Sequence, residues 1–193
     1  SIGNGAFAAC DRLVEVINKS SYITVTKGST NNGNVGYYAI SVSNRDDSYV
    51  SKLSTDSNGF VTINYGGDKI LVNYIGTARN ITIPSDITKI NDYAFSFCDN
   101  LTSVTIGESV TSIGGCAFSG CYKLVEVINK SSHITVTKGS TSNGRIGYYA
   151  ISVSNNGDSY VPLVFTTDSN RFVSFNYGSD KILVNYVGTA TDI

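Results

Sequence analysis

A repeat of 23 residues places the strongest constraint on how this chain folds. Residues 81–103 and 104–126 are consecutive blocks of equal length. A shift of 23 superimposes Phe95 on Phe118, and apolar residues recur at the same offsets throughout both blocks. A fixed period with a fixed apolar pattern is typical of solenoid proteins, in which each repeat forms one coil. One coil cannot cover its own apolar side, so the coils must stack.

Each coil is predicted to contain a strand and a short helical piece. Val104 and Ile106 alternate with polar residues, as side chains do on a half-buried strand. The apolar residues from Ala117 onward follow at i, i+1, i+4 and i+7, a spacing that favours one or two helical turns. We therefore predict a β-rich α/β solenoid that winds as a right-handed superhelix. Parallel strands are expected near Val16, Ile81, Val104 and Val127, and the rings of Phe7, Phe95 and Phe118 are expected to stack inside.

The coil pattern also resembles a known repeat family. Pro84 follows the first strand, and an Ala-Phe-x-x-Cys motif marks the far side of both coils. This pattern resembles the BspA-like leucine-rich repeat, from which Gly107 departs by replacing the proline. The matching residues are Pro84, Ile90, Ala94, Phe95, Cys98 and Leu101 in one coil, and Ile113, Gly114, Ala117, Phe118, Cys121 and Leu124 in the next. The resemblance implies a leucine-rich-repeat protein that is secreted or attached to a bacterial surface, often as an adhesin.

A second, longer repeat divides the chain into two units. The sequence LVEVINKSS at 13–21 returns unchanged at 124–132, an offset of 111. Unit 1 is therefore predicted to span 1–111, and a partial unit 2 to span 112–193. Both belong to one continuous solenoid segment, 1–193, of a longer repetitive protein, because a solenoid domain ordinarily carries caps at its ends.

Each unit also contains a predicted β-hairpin. The β-rich runs 60–65 and 69–74 are joined by Gly66-Gly67-Asp68, a link that is typical of a hairpin. The corresponding runs in unit 2 lie within 172–186. We interpret these hairpins as insertions into the solenoid, at about 55–76 and 166–188. Because an isolated hairpin is marginally stable in water, each should pack against the coils.

Composition excludes several classes of partner. The chain has 14 basic and 15 acidic side chains with no basic block, which argues against nucleic-acid binding. It has no apolar run near about 18 residues, so we expect no membrane insertion of this segment. Cys10, Cys98 and Cys121 share one repeat position, which predicts a ladder of small buried side chains. We expect these thiols and that of Cys116 to be free.

Candidate catalytic and metal-ligating residues do not recur between the units. The single histidine, His133, corresponds to Tyr22, and the aspartate pair at 46–47 corresponds to Gly-Asp at 157–158, so the pair is absent from unit 2. The stretch 56–59 resembles the start of a calcium loop but lacks the closing glutamate. We therefore predict no catalytic residue, no metal and no cofactor, and a protein that is not an enzyme.

Four asparagines begin Asn-x-Ser/Thr triplets, which accept glycans only in a eukaryotic secretory pathway. In a chain this rich in Asn, Ser and Thr, such triplets are expected by chance. They are Asn18, Asn80, Asn100 and Asn129.

The outward side chains of the strands form the main candidate binding surface. Strand side chains alternate, so the neighbours of inward valines point outward, and parallel stacking arranges these neighbours in rows. The result is a long, shallow, mainly small-polar face. The candidate binding residues are Glu15, Ile17, Lys19, Thr82, Thr105, Glu126, Ile128 and Lys130. Tyrosines near the hairpins (Tyr37, Tyr38, Tyr65, Tyr74 and their copies in unit 2) are a second candidate, with packing of the hairpin as the alternative.

Identical outward residues in the two units carry the functional prediction. The Glu-x-Ile-x-Lys triplets that begin at Glu15 and Glu126 are the same, although packing of the inward valines does not require this. The prediction is a non-catalytic, extracellular or cell-surface module that binds a protein or glycan on host or neighbouring cells. Recent duplication explains the identity equally well, which leaves a structural spacer or filament-forming repeat as the alternative. Uncapped solenoid ends would also allow self-association.

Overall fold

The computed structural model describes residues 1–46, 48–177 and 179–186. Within these ranges the regular structure is nearly all β, with short 3-10 turns at Asn32–Asn34 and Asn143–Arg145. The strands are β1 (Glu15–Asn18), β2 (Ser41–Asn44), β3 (Leu53–Thr55), β4 (Phe60–Tyr65), β5 (Asp68–Tyr74), β6 (Asn80–Thr82), β7 (Lys89–Ile90), β8 (Ser103–Ile106), β9 (Ser112–Ile113), β10 (Glu126–Asn129), β11 (Ser152–Ser154), β12 (Thr166–Thr167), β13 (Phe172–Tyr177) and β14 (Asp180–Tyr186). Position 178 of the second predicted hairpin and the predicted end of unit 2, 187–193, lie outside the described residues.

Four strands form a parallel sheet along one side of the solenoid, in the order β11-β10-β8-β6. Ile81 pairs with Val104, and Val104 pairs with Val127, so equivalent positions of consecutive coils lie side by side. All three side chains are buried in the core. The strands predicted near these residues are confirmed, and together they define a β-solenoid.

The pieces expected to form helical turns form tight turns instead. The backbone N–H groups of Phe95 and Phe97 donate to the carbonyl oxygens of Ala117 and Ser119 in the next coil, both at 2.8 Å. A helix would need those N–H groups for bonds within its own turns. Phe97 also has a φ of 60°, which interrupts a right-handed helix. The helical part of the α/β prediction is therefore wrong for these segments, and the handedness of the superhelix stays a prediction.

The predicted hairpin is confirmed, but β5 is part of the solenoid wall. β4 and β5 pair in antiparallel fashion. β5 then pairs in parallel with β7, with Leu71 opposite Ile90, and β7 pairs with β9. β5 thus occupies the position that the short strands β7 and β9 have in the later coils. These strands belong to one sheet of order β3-β4-β5-β7-β9. β13 and β14 form the equivalent hairpin in unit 2.

The β4–β5 hairpin has two apolar faces. Phe60 and Tyr74 point into the main core. Ile63 and Ile70 point the other way and pack against Val14 from the N-terminal coils. Side chains alternate along each strand, and a β-bulge opposite Val61 and Thr62 shifts the alternation within β5, so that Ile70 and Tyr74 face opposite sides. The hairpin therefore lies between the main solenoid and the separate two-stranded sheet β1–β2, so β1 does not continue the main parallel series as we expected.

A column of aromatic rings runs through the main core. Ring centroids lie 5.1 Å apart for Phe60 and Tyr74, 5.4 Å for Tyr74 and Phe95, and 4.7 Å for Phe95 and Phe118. The last two rings are nearly parallel, at 8°, because they occupy one position in consecutive coils. Each aromatic pair adds about 0.5–1.5 kcal/mol beyond its burial. Phe7, predicted to join the column, is only partly buried and packs in a separate cluster of the N-terminal coils.

Truncation of one ring tests this packing. Phe118 is 1% exposed, so Phe118→Ala leaves a cavity between stacked coils, and we expect the free energy of unfolding to fall by about 3–5 kcal/mol in urea titrations. Tyr22→Ala is the control, since Tyr22 is 95% exposed and its loss should change stability by less than about 0.5 kcal/mol. Similar losses for the two variants would contradict a stacked aromatic core.

Candidate binding surface

Neighbouring strands of the main sheet carry one in-register row on their outward side. Thr82 pairs with Thr105, and Thr105 pairs with Ile128. Ser154 continues the row beside Ile128. The parallel ladder spaces these side chains at about 4.8 Å. They form a shallow face of small side chains around one bulky apolar residue.

The eight predicted binding residues differ in their exposure to solvent. Ile17, Lys19, Thr82 and Lys130 are exposed, Glu15, Thr105 and Ile128 are half-buried, and Glu126 is buried. The prediction that all eight lie on an open face is therefore wrong for Glu126. Binding by the other seven stays a prediction.

Glu126 is buried because a later segment of the chain crosses over its strand. The Tyr160 hydroxyl and the Leu163 N–H both donate to Glu126 Oε1, at 3.0 and 2.8 Å. The Ser103 hydroxyl of the neighbouring strand donates to Oε2 at 2.7 Å. These three donors satisfy a carboxylate that is only 4% exposed. We call residues 159–163, and their unit 1 counterpart 48–52, the crossing segments.

Glu15 holds the first crossing segment in the same way. The Tyr49 hydroxyl and the Lys52 N–H donate to Glu15 Oε1 at 2.8 and 2.9 Å, and the Ser51 hydroxyl donates to Oε2. Burial alone would raise the pKa of Glu15, but these hydrogen bonds outweigh it and hold the pKa below its usual value. Tyr49 corresponds to Tyr160 at the offset of 111. The identity of the two glutamates therefore has a structural cause, which our sequence reasoning missed.

Two asparagines that begin glycosylation triplets also have structural roles. Asn129 Nδ2 donates to the Ile134 carbonyl oxygen at 2.8 Å and to Asn155 Oδ1 at 3.0 Å. Asn18 makes equivalent bonds in unit 1. Both side chains are buried, and their amide nitrogens are already engaged. Asn80 and Asn100 are exposed.

An exposed aromatic cluster lies where the repeat pattern did not predict one. Tyr122 is 62% exposed, and its ring centroid is 5.3 Å from that of Tyr149, which in turn lies 4.8 Å from that of Tyr148. Phe97, also largely exposed, covers Gly120 in the next coil. The sequence signal for this cluster was an aromatic residue, such as Tyr122, whose equivalent position 23 residues earlier is not aromatic. Of the tyrosines proposed from sequence, Tyr74 is in the core, whereas Tyr37 and Tyr65 keep partial exposure.

The aspartates considered for calcium binding or catalysis have local structural roles. Asp56 Oδ1 accepts from the N–H groups of Asn58 and Phe60, both at 2.9 Å, which closes a turn. Asp46 Oδ1 accepts from the N–H of Ser48 in its own loop, and Asp47 lies outside the described residues. Among the described residues, no three His, Cys, Asp or Glu side chains come together as metal ligands.

Stacked coils with a repeated apolar pattern define a repeat-protein solenoid. The model of the family described as BspA type Leucine rich repeat region matches residues 71–173, in six copies. The chain belongs to the BspA type leucine-rich repeat family, as the sequence resemblance indicated. Comparison with curated proteins and with solved structures gives no match. Within the described ranges, no helix has the length and apolar character needed to cross a membrane.

Removal of the Glu126 carboxylate tests its structural role. Glu126→Ala leaves the Tyr160 hydroxyl and the Leu163 N–H without their acceptor, so we expect a loss of about 2–3 kcal/mol in the free energy of unfolding. Limited proteolysis should also cut the crossing segment 159–163 faster. Exposed Glu108 provides the control, because Glu108→Ala should change stability by less than about 0.5 kcal/mol. A Glu126→Ala variant as stable as this control would refute the role.

The Tyr160 contact also predicts a dependence on pH. Burial and the hydrogen bond to Glu126 raise the pKa of Tyr160 from 10.0 to about 12. A raised folded-state pKa means that the contribution is complete below the unfolded pKa and is lost as pH rises through the folded pKa. Tyr160→Phe should be less stable than the wild type by roughly 1 kcal/mol at neutral pH. Urea titrations at several pH values should show this gap closing above pH 10; a constant gap would contradict it.

Proposed function

We propose that this chain is a non-catalytic binding module of a larger, repetitive cell-surface protein, and that it binds a protein or glycan on host or neighbouring cells. Membership of the BspA type family supports this proposal, since such repeats are typically found on cell-surface proteins. The leucine-rich-repeat solenoid is typical of non-catalytic repeat proteins. Stacked coils present an extended surface, which suits a large partner better than a small, water-excluding pocket does.

The observation that carries the proposal is an open strip on the outward strand face. The crossing segments cover the glutamate row, but the next row, with Thr82, Thr105 and Ile128, remains accessible to different degrees. Ile17 on β1 is 41% exposed. Bulky apolar side chains held at defined positions on a rigid sheet can act as the anchors of an interface. Lys130 follows β10 at the end of this strip, as Lys19 follows β1, and both would contribute charge at the rim of an interface.

A structural spacer is the second candidate, and one observation favours it. The hydrogen bonds of Glu15 and Glu126 explain why those two residues are the same in both units. Identity of the outward triplets is thus partly a consequence of the fold. The spacer hypothesis requires no contact from Ile17 or Ile128, whereas the binding hypothesis does.

A charge-reversal variant separates these functions. We would combine Ile17→Asp, Ile128→Asp, Lys19→Glu and Lys130→Glu in the intact chain, with circular dichroism as the test of folding. The probes are a glycan array and a panel of immobilised extracellular matrix proteins. We expect the wild type to bind at least one probe, and the variant to bind it at least tenfold more weakly, because loss of an interface anchor costs about 2 kcal/mol or more.

The matched control carries equivalent changes away from the strand face. Tyr37 and Tyr148 correspond between the units, as do Lys27 and Lys138. The control combines Tyr37→Asp and Tyr148→Asp with Lys27→Glu and Lys138→Glu. It should bind like the wild type. Loss of binding in the control alone would move the site to the tyrosines. Binding at wild-type strength by both variants would contradict the strand-face site and support the spacer.

A further inference from the structure

Two cysteines stack at one position of consecutive coils. Cys98 and Cys121 are 23 residues apart, and intercoil backbone bonds join the coils that carry them. The Cys121 thiol donates to the Phe95 carbonyl oxygen at 3.0 Å, and the Cys98 N–H donates to the same oxygen at 3.1 Å. The Cys121 sulfur and the Cys98 backbone N–H therefore meet at one carbonyl oxygen. An intercoil spacing of about 4.8 Å falls within the Cα separation of roughly 4.4–6.8 Å that a disulfide needs.

The two thiols differ in their access to solvent. Cys121 is 1% exposed. Cys98 is half-buried and lines an open groove of about 310 Å³. Arg12 lines the same groove, where its Nη2 donates to the carbonyl oxygen of Ser96 at 2.8 Å and to the Ser96 hydroxyl. A fixed cation near an accessible thiol is the environment in which cysteines become reactive.

The surroundings also shift the pKa values of the two thiols in opposite directions. The hydrogen bond from Cys121 lowers the pKa of Cys98, and Arg12 lowers it further against the opposing effects of burial and Asp99. The hydrogen bond to Cys98, burial and the nearby Cys98 charge raise the pKa of Cys121. Cys98 is therefore the more acidic thiol of the pair. The ladder prediction placed Cys10 in the same environment, but Cys10 is exposed.

We propose that Cys98 and Cys121 are a reactive thiol pair that reduces small-molecule disulfides and closes into a disulfide between coils. The Cys98 thiolate attacks one sulfur of a disulfide RSSR, whose S–S bond breaks to release RS⁻. Cys121 then attacks the Cys98 sulfur of the mixed disulfide, which forms the intercoil S–S bond and releases the second RS⁻. The protons of the two protein thiols pass to the two RS⁻ groups. The protein loses two electrons, and RSSR gains them.

Capping of Cys98 prepares the second step. In the mixed disulfide, Cys98 bears no charge and no longer accepts the Cys121 proton in a hydrogen bond. Of the causes that raise the pKa of Cys121, the hydrogen bond and the charge of Cys98 then disappear, and burial remains. Cys121 is therefore more readily deprotonated once Cys98 has reacted.

Oxidised glutathione is the probe for this reaction. The folded wild-type chain is incubated with it, acid-quenched at intervals, and analysed by intact mass and non-reducing peptide mapping. We expect a Cys98–Cys121 disulfide with two reduced glutathiones released per disulfide. Cys121→Ser should stop at glutathione on Cys98, and Cys98→Ser should leave Cys121 unmodified. Arg12→Gln should slow the first step by roughly threefold, because the thiolate fraction falls while its nucleophilicity rises.

Cys116 provides the internal control, since it is also half-buried but not part of the pair. We expect Cys98 to react at least about threefold faster than Cys116. A double variant, Cys10→Ser with Cys116→Ser, should close the pair at the wild-type rate. Reaction at Cys98 no faster than at Cys116, or stable glutathione on Cys98 of the wild type, would overturn the proposal. The wild-type measurement decides this even where a serine variant does not fold.

Discussion

A coil of this length has one apolar side and too few residues to cover it, so the next coil must supply the cover. Backbone hydrogen bonds between coils stabilise this arrangement, as the packing of side chains does. Phe95 and Phe97 donate their N–H groups to the neighbouring coil, and the rings of Phe95 and Phe118 stack at 4.7 Å. Because these donors are used between coils, the turns cannot become helices. Stacking therefore determines both the core and the secondary structure.

The hairpin shows how a second structural pattern fits into such a stack. β5 hydrogen-bonds to β7 as another coil would, yet β5 also pairs with β4 in antiparallel fashion. Its side chains alternate between the main core and the N-terminal coils. A strand with one polar face could serve only one of these neighbours. The run of apolar residues from Ile70 to Val72 is therefore explained by burial on both sides.

A residue that is identical in both units can serve the fold or the function, and its contacts distinguish these two cases. Glu15 and Glu126 are identical because each accepts hydrogen bonds from a crossing segment. Ile17 and Ile128 have no comparable structural requirement among the described contacts. Any functional interpretation of the strand face therefore rests on the isoleucine and lysine positions. The carboxylates stabilise the fold, because a buried acceptor with three donors is costly to remove.

The sequence by itself determined the coil period, the strands near Ile81, Val104 and Val127, the hairpin and the family, because all of these are recorded in short-range spacing of apolar and turn residues. Only the tertiary structure decided that the turns are not helical and that Glu126 is buried. Leu163, whose N–H donates to Glu126, is 37 residues away along the chain. No local period encodes such a contact, since it depends on where a later loop crosses an earlier strand. The Cys98–Cys121 pair combines both sources. The repeat aligned the thiols, and tertiary contacts distinguished them, because Cys121 is buried whereas Cys98 lines a groove that it shares with Arg12.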